Sequence, residues 1–555
     1  MAKSIRRRLC FPKLPVPSDH KPSQTGIYPF GSFDTVGADT IDRGSLNVHV
    51  EIPVVSKQGR GVGFQYTLVY DGLVWTPQGT TGSQTWTPAV GFGLHGQLNE
   101  GYEGYISYDS ATMRCTASGT VTYEPYYFGY IYHDPFGITH PLPYTYNACG
   151  SVTTGASTPS SDGSGYIYNG ATLLARDGKS LTVPLNSQSS SGSLIDSNGN
   201  HISNNGNGTF TDTLGKTALT IAGSGTPSSP KTFQYSTPTG TATVTVAYAA
   251  YTVQTTFGCS GVTEYNLSQD LPSTITLGDG TVYTFNYEKT PGGSSQVTGR
   301  LASLGLPQGG TVTYTYTGAN NGIVCADGTP TGLTRSGGVG RTYVRSVITS
   351  GSSETTVTDG LSNTSVYNFV IAGSPEAFYE TNRSIYQGSA SGTPLLSRQT
   401  CYNNSALSCL TTAVTLPITQ LDTYEALNGS GLHGSRLTYN SYGLETAETD
   451  YDFGGAARGA VLRKETWTYP TSGIPSLVSS DTVTDGTSQI GLTGYLYDET
   501  TGTGHAALVT TSGLPQHVTE SGQRGNLTTI QQYLIAERAI CTPRPRTKTR
   551  ATRSR

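Results

Sequence analysis

Apolar and polar residues alternate with a period of two along many short runs of the chain. In the run 311–317, Val312, Tyr314 and Tyr316 alternate with threonines. Residues i and i+2 of a β-strand point to the same side of a sheet, so this pattern predicts strands that are buried on one face. The same alternation is found at Tyr283, Phe285 and Tyr287, at Val244 and Val246, and in shorter runs around Ile167 and Leu173.

Turn signals recur between these runs. The form Asp-x-x-Gly begins at Asp134, Asp196 and Asp212. Aspartate accepts hydrogen bonds from the amides that follow it, and glycine adopts the positive φ that closes the turn. The sequence therefore predicts a series of β-hairpins, which together build a long sheet that curls or stacks. Tighter Asp-Gly versions of the signal stand at Asp177, Asp279, Asp327 and Asp359.

Helical signals are scarce, and the best two candidates are the short segments 506–508 and 531–538. Segments 151–165 and 186–193 are rich in serine, threonine and glycine and are predicted to be loops. We expect an all-β fold in which many antiparallel hairpins form one long curled sheet, together with a smaller N-terminal β domain. A curled sheet of this composition is expected to have a polar inner face and a small apolar core.

The predicted organisation has four parts. Residues 1–25 form a basic N-terminus and residues 536–555 a basic tail, and both are expected to be disordered. Residues 26–150 are predicted to form the N-terminal β domain, and residues 151–535 the region of β-hairpin repeats.

Composition narrows the class of protein. The 555 residues include 70 Gly, 29 Pro and 36 Tyr, and only 13% are charged. Coiled coils and helical bundles need far more charged residues, and collagen needs a glycine at every third position, which is not found. The aromatic content provides enough apolar surface to oppose disorder driven by charge.

Charge is unevenly distributed along the chain. The two predicted tails hold 13 of the 33 basic residues, although the whole chain has a net charge of −4. The body is therefore acidic, which argues against a nucleic-acid groove. No run of 18 apolar residues is present, so we expect no membrane span.

Six cysteines lie in the body and indicate an oxidising compartment. We expect a secreted or cell-surface protein, although the N-terminus lacks the apolar region of a signal peptide, which favours a fragment whose true start lies upstream. Six cysteines allow fifteen pairings. The simplest of them is Cys115 with Cys149, Cys259 with Cys325, and Cys401 with Cys409.

Several segments carry a resemblance to a known family. Residues 439–443 and 451–455 fit the form Tyr-[Asp/Asn]-x-x-Gly, and 134–142 and 211–221 have a related strand-turn-strand form. Over about residues 26–535 the chain resembles the N-terminal part of bacterial RHS-repeat (YD-repeat) proteins. This resemblance implies a spiral β-sheet that forms a hollow shell, and as a partner a C-terminal toxin payload that is absent from this chain.

Several local motifs invite a chemical interpretation. Residues 91–96 match G-x-G-x-x-G, but strand and turn follow where a dinucleotide site needs a helix, so a glycine-rich loop is expected. Residues 196–201 resemble half of a calcium loop, but His201 stands where glycine is required, so a hairpin turn is expected. His133 and His140 flank a turn, and the predicted hairpin places His140 opposite Ile131, which does not favour a metal site.

We therefore predict a non-catalytic structural protein, with no catalytic, cofactor-binding or metal-binding residues and no cofactor. Two alternatives stay open. One is a carbohydrate-binding surface protein that uses its aromatic clusters on surface glycans. The other is a glycoside-active enzyme, which needs two facing carboxylates in a cleft. The aromatic candidates are Trp75, Trp86, Tyr123, Tyr126, Tyr127 and Tyr130.

Overall fold

The computed structural model describes residues 23–57, 62–96, 104–117, 120–186, 191–349, 351–500, 513–519 and 522–533. Within them the chain is all-β, apart from a 3-10 turn at Val90–Gly93 and one helical turn at Ala319–Gly322. None of the helices described there has the length and apolar character of a membrane span.

The strands follow in chain order: β1 (Phe33–Val36), β2 (Asp39–Asp42), β3 (Val48–Lys57), β4 (Phe64–Asp71), β5 (Trp75–Thr80), β6 (Ser83–Pro88), β7 (Leu94–Gly96), β8 (Tyr105–Ala117), β9 (Thr120–His133), β10 (Thr139–Pro141), β11 (Thr145–Asn147), β12 (Val152–Thr154), β13 (Ile167–Tyr168), β14 (Leu173–Leu174), β15 (Ser180–Thr182), β16 (Gly192–Ile195), β17 (His201–Asn204), β18 (Thr209–Thr211), β19 (Thr217–Ala222), β20 (Lys231–Thr237), β21 (Gly240–Gln254), β22 (Val262–Thr263), β23 (Asn266–Thr276), β24 (Val282–Lys289), β25 (Val297–Gly305), β26 (Thr311–Tyr316), β27 (Gly332–Ser336), β28 (Arg341–Thr349), β29 (Ser352–Asp359), β30 (Thr364–Ala372), β31 (Ala377–Tyr386), β32 (Leu396–Tyr402), β33 (Gln420–Leu427), β34 (Gly434–Tyr439), β35 (Glu445–Tyr451), β36 (Val461–Thr468), β37 (Ser480–Thr484), β38 (Gln489–Tyr497) and β39 (Leu527–Tyr533).

One sheet dominates the fold. This main sheet has 26 strands, which run from β13 to β39 in chain order with only β22 left out. Before it come a five-stranded sheet, β1-β2-β3-β4-β7, which we call the N-terminal sheet, and a second five-stranded sheet built on β9. A three-stranded sheet joins β22 to β5 and β6. The prediction of an all-β fold with one long sheet of hairpins is confirmed.

The alternating runs form half-buried strands, as predicted. In β26, Val312, Tyr314 and Tyr316 are buried and the threonines between them are exposed. In β24, Phe285 and Tyr287 are buried, again with exposed neighbours. The period of two therefore identified strands correctly wherever threonine alternates with an aromatic or β-branched residue.

The Asp-x-x-Gly units form turns of five residues. In the first of them, the Asp134 amide donates to the Ile138 carbonyl, and the Asp134 carboxylate accepts from the amides of Phe136 and Ile138. Because the carboxylate bonds to the Ile138 amide, the turn includes a fifth residue, and the pairing of the two strands shifts by one residue. The predicted pairing of His140 with Ile131 is therefore wrong, because His140 lies opposite Tyr132.

The same turn recurs along the main sheet. It begins at Asp196 and Asp212, as predicted, and also at Asn440 within one of the family-like units. The prediction of tighter Asp-Gly turns at Asp177, Asp279 and Asp359 is wrong. The turns that contain Asp177 and Asp279 begin at Ala175 and Leu277 and have the same backbone hydrogen bonds as the five-residue turn. The third turn begins at Asp359 itself. The Asp359 carboxylate accepts from the amides of Leu361 and Asn363, so this is also a five-residue turn.

The segment 451–455, which also fits the form Tyr-[Asp/Asn]-x-x-Gly, departs from this pattern. The Asp452 carbonyl accepts from the amide of Gly459, and the chain makes a wider loop between β35 and β36. Arg458 anchors this loop, because its guanidinium bonds to Asp422 at 2.5 Å and stacks on Tyr424. The prediction of a helix at 531–538 is also wrong where the structure describes it, since Gln531 lies in β39. Segment 506–508 lies outside the described residues.

The N-terminal sheet packs against one face of the main sheet. Tyr66 contacts Phe210 of β18, with ring centroids 5.7 Å apart, and a Cβ on Gly44 would touch Phe378 of β31. In a flat sheet β18 and β31 would be about 60 Å apart, whereas the longest strands of the N-terminal sheet measure about 30 Å. The main sheet must therefore curl around the N-terminal sheet.

The core between these two sheets is large and apolar. One buried cluster joins residues of the N-terminal sheet, such as Ile52 and Leu68, to residues of the main sheet from Ile202 to Phe378. The expectation of a polar inner face with a small apolar core is wrong for this part of the spiral. Its physical reason is that the first 70 described residues supply a second apolar surface, which the alternating strands meet.

Hairpin loops far apart in sequence lie against each other. The Ser476 amide donates to the Arg176 carbonyl at 3.0 Å, and the Val518 amide donates to the Gly199 carbonyl at 2.8 Å. Arg176 lies in the loop after β14 and Ser476 in the loop after β36. These are the second and twenty-third strands of the main sheet, so they are 21 strands apart. The second pair follows β16 and β38 and has the same separation. The Gln516 amide also donates to the Thr213 carbonyl, which joins loops whose strands are 19 apart. The main sheet is therefore a spiral with 19–21 strands in each turn.

Candidate functional site

The face of the main sheet that packs against residues 28–94 is the inner face of the spiral. This packing extends as far as β34, where the Tyr439 ring meets the Phe30 ring edge to face at 5.2 Å. Strand register carries this face onward, because Leu437 lies opposite Glu448, which lies opposite Glu465. The inner face can thus be followed from the core to the last described strand.

The inner face of β35–β39 has a different character. In the described part of the chain, none of its residues belongs to a buried apolar cluster, and its side chains are partly exposed. Its charged residues are mostly acidic. Those that face inward by register are Glu448, Asp450, Arg463, Glu465 and Asp481, accompanied by Trp467 and Tyr495.

These carboxylates repel one another. Burial raises the pKa of Asp481, and the neighbouring Glu465 raises it further. Burial also raises the pKa of Glu448, together with the charges of Asp450 and nearby glutamates. Arg463 pairs with Glu465 and offsets part of this charge. The exposed part of the inner face therefore presents a field that favours positively charged groups.

The glycine-rich segment 91–96 forms a loop, as predicted. It follows β6 and leads directly into strand β7, with φ of 64° at Gly91 and 91° at Gly93. Gly93 lies against the backbone of Asp71, where a Cβ would be 2.3 Å from the carbonyl oxygen. Close backbone approach explains the glycine at this position.

The calcium-like segment is a hairpin turn, as predicted. The Asp196 carboxylate accepts hydrogen bonds from the amides of Asn198 and Asn200 at 2.9 and 2.8 Å. Asn198 also contacts the next turn of the spiral, where its side chain accepts from Asn526 at 2.9 Å. The polar residues of this segment therefore close the turn and join two layers of the spiral.

His140 and His133 lie side by side with opposite electrostatics. His140 is buried, and its Nδ1 and Nε2 lie 2.6 Å from Asp162 and 3.6 Å from Asp134. Burial alone would lower its pKa, but the two carboxylates raise the pKa to about 9. Burial and the charge of His140 lower the pKa of His133 to about 4, and its Nε2 lies 2.7 Å from the Ser107 hydroxyl. At neutral pH the arrangement holds one charged and one neutral imidazole.

The aromatic candidates divide into two groups. Trp75 and Trp86 are 1% and 0% exposed, and both contact Phe257, so neither can stack on a sugar. Tyr130 is also buried. Tyr123 is 69% exposed on the hairpin formed by β8 and β9, and the rings of Tyr126 and Phe128 stack at 5.3 Å along the same hairpin.

The predicted disulfide pairing is confirmed. Cys115 is bonded to Cys149, Cys259 to Cys325 and Cys401 to Cys409. The first bond ties the β8–β9 hairpin to the loop after β11, and the second ties the loop after β21 to the loop after the Ala319–Gly322 turn. These two bonds therefore hold loops that extend from the sheets against neighbouring parts of the chain.

Sequence reasoning missed both the acidic inner face and the stacking of loops between turns of the spiral. Asp481 and Glu465 share the inner face because β36 and β37 pair in a register that places Asp481 opposite Trp467 and Val483 opposite Glu465. No local sequence motif predicts this register. The lengths of the turns could have predicted this face, because each five-residue turn determines which residues of the next strand share a face with those of the strand before it.

Comparisons with known proteins give structural likeness only. No family model matches the chain, and no curated protein matches it. The chain is similar to a crystal structure of TcdB2-TccC3-TEV (9% identity, 88% of this chain, 23% of that chain, TM-score 0.22). It is also similar to TcdB2-TccC3 (11%, 91% and 31%, TM-score 0.23) and to the Photorhabdus luminescens Tc holotoxin pore (11%, 84% and 26%, TM-score 0.22). The chain thus spans less than a third of each of these chains, and TM-scores this low establish no common arrangement.

Proposed function

We propose that this chain is a non-catalytic structural protein whose spiral sheet forms part of the wall of a β-shell around a polypeptide. The observation that carries the proposal is the change along the inner face. That face is covered at its start by the sheet built on β9 and then by the N-terminal sheet, and it is partly exposed over β35–β39. A wall that is plugged at one end and open further on has the form needed to begin an enclosure.

Two further features support the proposal. The five-residue turn of the family-like unit at Asn440 recurs along the sheet, which favours the resemblance to RHS repeats. That resemblance makes a toxin the expected polypeptide. The three disulfides favour export to an oxidising compartment, at the cell surface or outside the cell.

The proposal of a non-catalytic role rests on how the acid–base residues are used. Asp134 and Asp196 hold turns, and His140 is fixed between two carboxylates. We expect the purified chain to show no turnover of oligosaccharides. Turnover that a single Asp→Asn or Glu→Gln substitution abolishes would contradict this role.

Photo-crosslinking from two positions of one strand tests the enclosure. Benzoylphenylalanine replaces either Trp467, which faces inward, or Lys464, which is exposed on the opposite face of β36. The variants are produced in the native host and irradiated before purification. We expect adducts with a second polypeptide from position 467 and none from position 464. Equal adducts from both positions, or none from position 467 in a folded chain, would contradict the enclosure.

Carbohydrate binding is a second candidate, and the exposed ring of Tyr123 is the observation that favours it. An exposed tyrosine on a projecting hairpin offers a flat apolar surface with a polar end, which suits stacking on a sugar. The test is a glycan array probed with the wild-type chain and with Tyr123→Ala. Binding that both proteins share, or no binding at all, would remove this candidate.

A further inference from the structure

A cavity of about 410 Å³ opens on the inner face where the N-terminal segment meets β31, β32 and β33. Three arginines line it, Arg43, Arg383 and Arg398, and Glu380 is the only acidic residue among its described lining residues. The wall therefore carries more positive than negative charge, although the chain as a whole has a net charge of −4. The ion-pair and hydrogen-bond partners of each arginine determine how much of this positive charge is neutralised.

Glu380 neutralises only one of the three arginines. Its two carboxylate oxygens accept from Nε and Nη2 of Arg383 at 2.9 and 3.0 Å. The Ser32 hydroxyl also donates to Glu380. This carboxylate is therefore fully used by groups that already surround it.

Arg43 shares its carboxylate partner, Asp34, with Arg341. Its Nη1 lies 3.3 Å from the Ser32 hydroxyl and its Nη2 lies 3.7 Å from Asp34, which is too far for a hydrogen bond. That distance is to Oδ1 of Asp34, and the other oxygen of this carboxylate, Oδ2, accepts from Arg341 and from the Tyr343 hydroxyl. The Nε of Arg43 is buried without an acceptor, and a buried donor in this state costs free energy that a bound acceptor would recover.

Arg398 is only weakly paired. Its Nη1 lies 3.4 Å from Glu425, which is also 3.5 Å from His433. Its side chain is 37% exposed at the mouth of the cavity. The ring of Tyr367 contacts the guanidinium groups of both Arg43 and Arg383, at 4.9 and 5.3 Å, and so holds two like charges near each other.

We propose that this cavity binds a small ligand through an oxyanion, either a carboxylate or a sulfate group, with Arg43 and Arg398 as the donors. Guanidinium groups match the geometry of such anions and form paired hydrogen bonds to them. The volume lies in the usual range for small-ligand pockets, about 300–1,000 Å³. The aromatic side chains of Phe30, Phe33 and Tyr402 complete the wall.

Titration calorimetry on the full chain tests the site. The probes are sodium sulfate, sodium glucuronate and glucose, each at an ionic strength held constant with sodium chloride. We expect saturable binding of sulfate or glucuronate, and none of glucose. Sulfate binding alone identifies an inorganic anion, and tighter binding of glucuronate identifies an acidic sugar. Absence of saturable binding for both anions would overturn the proposal.

Variants separate the site from a general effect of charge. Arg398→Gln is expected to weaken anion binding at least tenfold, and because this side chain is partly exposed the fold is expected to be retained. Arg398→Lys keeps the charge and should recover part of the affinity. Arg463→Gln is the matched control, since Arg463 is an inner-face arginine outside the cavity. Equal affinity in Arg398→Gln and wild type would overturn the proposal. This result is independent of whether a polypeptide occupies the shell.

Discussion

Replacing Gly443 by alanine probes the contact between two turns of the spiral. Gly443 closes the turn that begins at Asn440, with φ of 67°, and a Cβ there would lie 1.9 Å from the Gly163 carbonyl oxygen. Gly280 provides a matched control. It closes a turn with the same backbone hydrogen bonds, with φ of 86°, and its Cβ would meet no atom within 4 Å.

The two substitutions share one cost and differ in another. Alanine at a positive φ costs about 1 kcal/mol in either turn. In Gly443→Ala the loops must also separate, which breaks the hydrogen bonds from Arg176 Nη1 to the Tyr442 and Gly443 carbonyls at 3.1 and 3.3 Å. Hydrogen bonds to a charged group contribute about 1.5–3 kcal/mol each when complete, and we expect about half of that to be lost here. The difference between the variants is therefore about 1.5–3 kcal/mol for the two bonds together.

Native-state hydrogen exchange is the appropriate assay, because a long array of hairpins need not unfold in one step. The reporter is the Ser476 amide, which donates across the loops to the Arg176 carbonyl. We expect this amide to exchange about 10–150 times faster in Gly443→Ala than in wild type, and to be unchanged in Gly280→Ala. Equal protection of the Ser476 amide in the two variants would show that the stacked loops do not stabilise the spiral.

Two predictions concern pH and charge. The raised pKa of His140, about 9, means that its charged form stabilises the fold fully below the unfolded value of about 6.5 and that this stability is lost as pH rises through 9. Asp162→Asn should therefore flatten the decline in stability between pH 6.5 and 9, measured by urea unfolding, and a decline as steep as in wild type would contradict it. Asp481, with its pKa raised beside Glu465, is destabilising when ionised, so Asp481→Asn should raise stability at pH 7. Asp485→Asn serves as its control and should lower stability, because amides of its own turn lower the pKa of Asp485.

Local patterns predicted the strands and turns well because their causes are local. Val312 and Tyr314 alternate with threonine whatever lies opposite them, and Asp196 binds amides within its own turn. The disulfides were also accessible, since each joins cysteines that are near neighbours in the order of cysteines along the chain. The observed pairing of His140 differs from the predicted one by one residue, because the hydrogen bonds of the Asp134 carboxylate lengthen the turn by one residue.

The candidate sites were not accessible in the same way. Arg43 and Arg398 are more than 350 residues apart in the sequence and meet only because the sheet curls around the N-terminal segment. Trp75 and Trp86 look exposed in a segment rich in threonine and glycine, yet the loop after β21 covers them through Phe257. In each case the contact joins strands that are far apart in the sequence. Which of their side chains face each other depends on the register of many successive strands, and a local sequence pattern does not contain this information.

The number of strands in each turn explains how the spiral holds together. In an antiparallel sheet, successive hairpin loops alternate between the two edges. Stacked turns bring opposite edges together, so a loop meets a loop only when the strands they follow are an odd number apart. The separation of 21 satisfies this condition for the loops at Arg176 and at Gly199. Insertion of a whole hairpin within a turn would preserve the match, whereas insertion of a single strand would place every later loop against the wrong edge. A repeat of two strands is thus the natural unit of change for this fold, and family-like units such as that at Asn440 have this form.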